Sequence, residues 1–221
     1  MPFNEGGCGW GKGDTILTQQ LIQWAQKIQA MAQTGLTYAQ DPYDRERYEA
    51  LRGIAAEMLA APLGAETAEL VGLFRREEGY ATPKVDVRGV VIQEGRVLLV
   101  RERSDGLWTL PGGWADVGDG PSHAVEREIR EETGYEAKAA KLLALYDRNL
   151  HDHPPMLYHV YKAFFRCEIT GGAATVSNET DGVEFFAPDA LPPLSIERVT
   201  QTQIARFFDH ARHPNWPTDF D

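Results

Sequence analysis

Two periods divide the chain. Between Ile16 and Thr34, Leu17, Leu21, Trp24, Ile28 and Met31 recur every three or four positions, the spacing of one buried helical face, and Gly35 reads as its stop. A second helix is expected near Asp44, after the breaker Pro42, with Tyr48, Leu51, Ile54, Ala55 and Met58 on one face. A third, over Glu66 to Glu78, offers Leu70, Leu73 and Phe74. After Thr82 and Pro83 the period drops to two. Val85, Val87 and Gly89 alternate with Asp86 and Arg88, and a turn at Glu94-Gly95 precedes the strand Arg96 to Val100. Leu107 to Leu110 is a further strand, ending at Pro111-Gly112-Gly113. A helix over 121–133 has Pro121 in its first turn and Gly134 at its exit. Strands are expected over Ala140 to Tyr146, Leu157 to Ile169 and Val183 to Phe186, with Gly171-Gly172 breaking the chain before the last. A closing helix, Val199 to Ala211, turns Ile204, Phe207 and Phe208 inward. The pattern predicts an α/β (α+β) layered domain, a mixed β-sheet sandwiched between helices, preceded by an N-terminal helical module, with no internal repeat. The expected divisions are a flexible glycine-rich leader over 1–13, the helical module over 14–80, the sheet domain over 81–211 and a tail over 212–221.

Composition narrows the class. The 221 residues are 43% apolar, enough for a folded core. A net charge of -11, from 33 acidic and 22 basic residues, argues against a stable nucleic acid partner, since backbone binding needs clustered Lys and Arg. Small phosphorylated ligands stay open, because divalent cations bridge two anions. The two cysteines, Cys8 and Cys167, do not make a disulfide scaffold. No basic segment followed by an apolar one opens the sequence and no run is long enough to span a bilayer, so a soluble, cytoplasmic protein without a membrane partner is the expectation. The three short helices of the leading module form a small core that a second domain or another subunit would complete. Docking or dimerisation is therefore the favoured role there, and substrate contact through Trp24, Tyr38 or Tyr43 the alternative.

The chemistry concentrates in one helix. Glu131 and Glu132 lie three and four positions beyond Glu128, so three carboxylates share a face. Two such charges about 5 Å apart repel by about 3 kcal/mol at an effective dielectric of about 20, and a hard divalent cation removes that repulsion while gaining oxygen ligands. A solvated acidic surface is the alternative for the helix alone. The flanks argue for a site: Val125 and Ile129 mark a buried side, Arg127 is spaced to reach Glu131, and Gly112 and Gly113 allow a close backbone approach.

The stretch from Gly113 to Tyr135 resembles the Nudix hydrolase signature: Gly, five residues, Glu, seven residues, Arg-Glu, an apolar residue, any residue, Glu-Glu, any residue, Gly and an apolar residue. Gly113, Arg127, Glu128, Ile129, Glu131, Glu132, Gly134 and Tyr135 match. Asp119 stands where the family carries Glu, keeping the charge with a reach one methylene shorter. The likeness extends through Leu36 to Tyr48, Gly79 to Gly89, Tyr146 to Arg148 and Asn215 to Asp221, and is similar to the bacterial subgroup with an N-terminal helical extension, ADP-ribose pyrophosphatase-like or CDP-choline pyrophosphatase-like. It implies hydrolysis of a nucleoside diphosphate linked to a second moiety, giving a nucleoside monophosphate and a phosphorylated remainder. ADP-ribose or a related sugar nucleotide leads as substrate. CDP-choline or another CDP-alcohol is one alternative, and a catalytically inactive nucleotide-sensing protein another. The implied cofactor is Mg2+, with Mn2+ as a substitute, on Glu128, Glu131 and Glu132. From the apolar stripes of the leading helices, a homodimer through or assisted by them is the expected assembly.

Other candidates surround this core. Glu131 is the candidate general base, and Glu179, Asp181 or Glu184 an additional acid. Arg88, Arg101, Arg103 and Arg148 are candidate phosphate clamps, and Trp108 or Trp114 candidates for stacking a base. His151 and His153 lack the further ligands that zinc needs, and His123 and His159 read as capping and strand residues.

Overall fold

The computed structural model describes residues 12–221; most of the expected leader, with Cys8, lies outside them. Two compact units result: residues up to Thr82 together with Pro155–Tyr158, and Pro83–Pro154 together with His159–Asp221.

The first unit contains α1 (Lys12–Tyr38), α2 (Pro42–Leu63) and α3 (Thr67–Phe74). Helix α2 starts where Asp41 accepts hydrogen bonds from the amides of Tyr43 and Asp44, with Pro42 as its first residue rather than a breaker before it. It stops at Gly64, whose φ of 61° suits a residue without a side chain. Gly35 does not stop α1. It lies within the helix, where a Cβ would sit 2.3 Å from the Tyr48 ring, so the glycine lets α1 and α2 cross closely. The buried face of α1 also differs from the expected one. Ile22, Ala25 and Ala32 are buried, whereas Leu17, Trp24 and Met31 are exposed. Of the expected stripe, Ile28 still packs on the core of this unit. In α2 the same correction applies to Ile54, which is exposed, while Ala55, Ala56 and Leu59 pack with Leu70 and Phe74 of α3. Residues 155–158 join this unit through Leu157 and through the Gln26 side chain donating to the Met156 carbonyl, 2.9 Å, so the strand expected from Leu157 begins only at Val160.

The second unit holds a five-stranded mixed sheet in the order β5-β1-β7-β6-β9: β5 (Gly112–Trp114), β1 (Lys84–Val90), β7 (Val160–Gly172), β6 (Tyr135–Asp147) and β9 (Asp219–Phe220). Strand β1 runs parallel to β7 and antiparallel to β5. A second sheet is built on β3 (Arg96–Glu102), which pairs antiparallel with β2 (Ile92–Gln93), β4 (Trp108–Thr109) and β8 (Thr180–Phe186). Gly171 and Gly172 are the last residues of β7, both paired with the start of β6, and the chain leaves the sheet after them.

Helices cover both faces. On one, α4 (Pro121–Thr133) buries Ala124, Val125 and Ile129 against Val87, Leu98 and Ala163. Burial of Val125 and Ile129 contributes about 1.5–3 kcal/mol each. Gly89 on β1 makes this approach possible, because a Cβ there would lie 2.6 Å from the Ile129 Cδ1. On the other face, α5 (Gln201–Arg212) is opened by a capping box between Thr200 and Gln203 and turns Ile204, Phe207 and Phe208 toward Leu143 and Phe164. The last residues are part of the sheet: Asp219 on β9 accepts from Arg206 and from the Tyr146 hydroxyl. Among the described residues no helix is long and apolar enough to cross a membrane.

Candidate active site

Packing decides which side of α4 is wet. With Val125 and Ile129 pressed on β1, Glu128, Glu131 and Glu132 are carried to the rim of the sheet beside β5, where Gly112 and Gly113 leave the space that side chains would fill. A Cβ on Gly113 would stand 3.0 Å from the Glu128 Oε2. The amide of Gly112 donates to the Glu132 Oε2 at 2.8 Å. The three carboxylates line one cavity of about 550 Å³, within the range of small-ligand clefts.

Their environments differ. Glu132 is buried, and burial pushes its carboxyl up to about 8 despite Arg88 and the Gly112 amide. Burial also raises Glu128. Glu131 is about half exposed. Arg127 binds the group together: its Nη1 lies 2.9 Å from the Glu128 Oε1 and 3.1 Å from the Glu131 Oε2, its Nε donates to Asp119 at 3.2 Å and its Nη2 to Asp116 at 3.2 Å. Asp119 thus reaches Arg127 in spite of its shorter side chain. These carboxylates hold the Arg127 guanidinium above its ordinary value, against its partial desolvation.

A loop from the far side closes the acid wall. Thr180 Oγ1 donates to the Glu132 carbonyl at 2.7 Å, the Thr175 amide to the Thr133 carbonyl at 2.8 Å, and the Arg103 Nε to the Ser177 carbonyl at 3.2 Å. Pinned in this way, the loop brings Ser177, Asn178 and Glu179 to the cavity. Of the other expected acids, Asp181 is bound to Arg101, 2.6 Å, and Glu184 is exposed on β8.

Arg88 is the expected cation that reaches the cavity. Arg101 lies against Trp108 and Asp181, Arg103 is spent on the loop, and Arg148 is buried, donating to the carbonyls of Pro154 and Glu197. These three do not line the cavity, nor does Trp108, whose ring packs edge-on against Phe186 at 4.8 Å. Trp114 is the aromatic ring in the cavity wall, 44% exposed. The histidines have other partners: His151 meets Asp221, His153 the Ile196 carbonyl and Gln203, and His159 meets Asp147. His123 opens α4 away from this cavity, in a groove with Glu126 and Lys138.

Three contributors escaped sequence reasoning. Glu102 ends β3 at the cavity, its carboxyl raised by burial, and Asp116 lies on the turn after β5. Arg198 faces the cavity from the segment before α5, with its Nε 3.3 Å from Glu102 and its Nη1 2.8 Å from Asp105. A charge closing the apolar run of β3 was a usable signal for Glu102. Nothing near Arg198 in the chain marks it.

The residues present suit a hard cation. Glu128, Glu131, Glu132 and Glu179 are all oxygen donors on one cavity, and burial makes two of them costly as unaccompanied anions. Among the described residues no three His, Cys, Asp or Glu side chains are drawn together as a closed metal cage. Arg127 stands between Glu128 and Glu131, and Glu132 is turned to the Gly112 amide.

Residues 82–207 match the NUDIX domain, and residues 19–74 match a UDP-X-like, N-terminal oligomerisation domain. The chain belongs to the Nudix family. This Nudix hydrolase is 46% identical over 200 residues to YjhB of Bacillus subtilis (strain 168), whose name gives ADP-ribose pyrophosphatase as a provisional activity; the match covers 90% of this chain and 96% of YjhB. It is also similar to a crystal structure of a UDP-X diphosphatase, 34% identical with a TM-score of 0.60, covering 92% of this chain and 99% of that one. An ADP-ribose pyrophosphatase structure from Streptococcus suis is 38% identical with a TM-score of 0.59, covering 63% of this chain and all of its own. The enzyme has the mixed-sheet Nudix fold with an added helical module, and its activity is Nudix-type hydrolysis of a nucleoside-diphosphate-linked moiety. Family membership implies that the reaction depends on magnesium.

Proposed function

We propose that this Nudix hydrolase cleaves the phosphoanhydride of ADP-ribose or a related sugar nucleotide, with Glu128, Glu131 and Glu132 as the metal ligands. The observation that carries this reading is the single cavity joining the α4 carboxylates, Glu179 and the guanidinium of Arg88. Two of the similar proteins are named for ADP-ribose, and a third for a UDP-linked moiety. Held by those glutamates, Mg2+, or Mn2+ in its place, would neutralise the anhydride oxygens that an acidic cavity otherwise repels.

The remaining roles belong to the chain. Arg88 binds a phosphate oxygen from the cavity floor. Glu131, the most exposed of the three acids, holds the attacking water and takes its proton, and Glu179 faces it from the loop. Arg127 is a positioning residue, fixing the rotamers of Glu128 and Glu131. Trp114 offers a ring face to the base.

The test is a panel of ADP-ribose, UDP-linked sugars, CDP-choline, NADH and dinucleoside polyphosphates, assayed with and without magnesium. Release of AMP and ribose 5-phosphate from ADP-ribose, at a kcat/KM at least about tenfold above the others, is expected. Preferential cleavage of CDP-choline would reject the substrate assignment.

The helical module is assigned to homodimerisation. Leu17, Trp24, Met31 and Tyr38 recur every seven residues along α1 and are all exposed, an apolar stripe of the kind that a second helix covers. Light scattering is expected to give twice the chain mass, and a monomer at micromolar concentration would overturn the assignment.

A further inference from the structure

We propose that Asp86 and Lys162 are positioning residues that hold the Arg88 guanidinium in place for the diphosphate. The inference rests on the proposed function insofar as Arg88 is taken to meet substrate phosphate.

Strand pairing builds the arrangement. In the parallel ladder Asp86 of β1 stands beside Lys162 of β7, and Arg88 follows two residues later on the same face of β1. The Asp86 carboxylate accepts from the Arg88 Nε at 2.8 Å and Nη2 at 3.1 Å, and its Oδ2 also accepts from the Lys162 Nζ at 3.0 Å. The Arg88 Nη1 donates to the Leu110 carbonyl at 3.1 Å, on the residue that leads into the glycine loop. Four acceptor contacts thus fix the plane of the guanidinium and the place of the ammonium. Two of the five Arg88 N–H groups remain outside these bonds.

The cluster is poorly explained as a device for stability. All three side chains are almost wholly buried, and Lys162 is 1% exposed. Ion pairs taken this far from water are commonly replaced by apolar residues without loss, and neighbouring positions on these strands are apolar already. One cation would suffice to neutralise Asp86. The second gives the cluster a surplus positive charge, and the member that carries it to the cavity is Arg88, which senses Glu132 and Glu102 there. Lys162 does not line the cavity, and its hydrogen bond in this cluster is to Asp86. Its effect is to keep Asp86 ionised and turned toward Arg88, so that a bidentate grip presents the free edge of the guanidinium in one orientation.

The experiment is a mutant cycle with two readouts: kcat/KM per folded molecule on ADP-ribose, and the Kd of inorganic pyrophosphate in magnesium buffer. Asp86→Asn and Lys162→Met are each expected to lower kcat/KM at least about tenfold and to weaken pyrophosphate in parallel. Arg88→Met is expected to lose more, and Arg88→Met with Asp86→Asn no more than Arg88→Met alone, since Asp86 acts through Arg88. Should Lys162→Met fail to fold, the Asp86 and Arg88 cycle decides for Asp86, and Lys162→Gln, which keeps an N–H donor for Asp86 without the charge, takes its place with the same expected losses. Losses that multiply in the double variant overturn the proposal, as do single variants that lower Tm while keeping wild-type kcat/KM and pyrophosphate affinity. If wild type cleaves no diphosphate the proposed function fails, and the pyrophosphate cycle alone then reports on the positioning.

Discussion

Glu132→Gln is expected to lower kcat at least about 100-fold while leaving the enzyme folded and, in metal-free buffer near pH 8, more stable than wild type. The two halves have one cause. Glu132 is buried beside Gly112, and a carboxyl pushed up to about 8 is one whose negative form the fold disfavours. Its folded value lies above the ordinary 4.5, so the unfolded chain releases this proton first. The contribution of Glu132 to stability is therefore present below about pH 4.5 and is lost as pH rises toward 8. Glutamine keeps an oxygen to accept from the Gly112 amide, removes the proton-linked loss and takes away the charge of a proposed magnesium ligand. Thermal melts from pH 4 to 8 without metal check the first half, and turnover on ADP-ribose checks the second. Near-wild-type turnover would remove Glu132 from the proposed metal ligands. A variant less stable than wild type at pH 8 would show that its ionised form is favoured by the fold.

The largest structural effect is expected from Gly112→Ala. Its φ of 143° is open to glycine, and a Cβ would lie 2.0 Å from the Val87 carbonyl oxygen, on the backbone of the strand paired with β5. That oxygen cannot turn aside as a side chain would, so β5 must leave β1. A loss of at least about 3 kcal/mol, read by urea titration, is expected, and turnover should fall with it because the amide that anchors Glu132 moves too. Gly113 offers an internal control. There a Cβ would meet the tip of Glu128 at 3.0 Å, and a side chain can yield, so Gly113→Ala should cost activity with far less stability. Equal stability of the Gly112 and Gly113 variants would contradict the assigned strain.

The acid helix was legible in the chain because everything that defines it is local. Pro121, Val125, Ile129 and Gly134 mark its bounds and its buried side within a few turns, and Glu128, Glu131 and Glu132 follow from the same register. Helix α1 shows how that reasoning fails. Leu17, Trp24 and Met31 have the spacing of a core stripe, yet Ile22, Ala25 and Ala32 take the interior. Periodicity reports that a face is apolar without saying what covers it. Among the arginines the chain offered no ranking. Arg88, Arg101, Arg103 and Arg148 all lie near strand ends, and only their partners separate them: Asp86 and the cavity for Arg88, Asp181 for Arg101, loop or backbone carbonyls for the other two.

By itself the sequence determined, through its likeness to the Nudix signature, the class of reaction, and, through charge spacing and hydrophobic period, the acidic helix and a helical module before a mixed sheet, since these are properties of neighbouring residues. Tertiary structure decided the rest: that Glu179 rather than Asp181 or Glu184 lines the cavity of the α4 carboxylates, that Glu102 and Arg198 reach it, and that Lys162 meets Asp86 across two parallel strands. Those pairs are far apart along the chain. Strand register and the anchoring of one loop bring them together, and neither is written in the residues on either side of them.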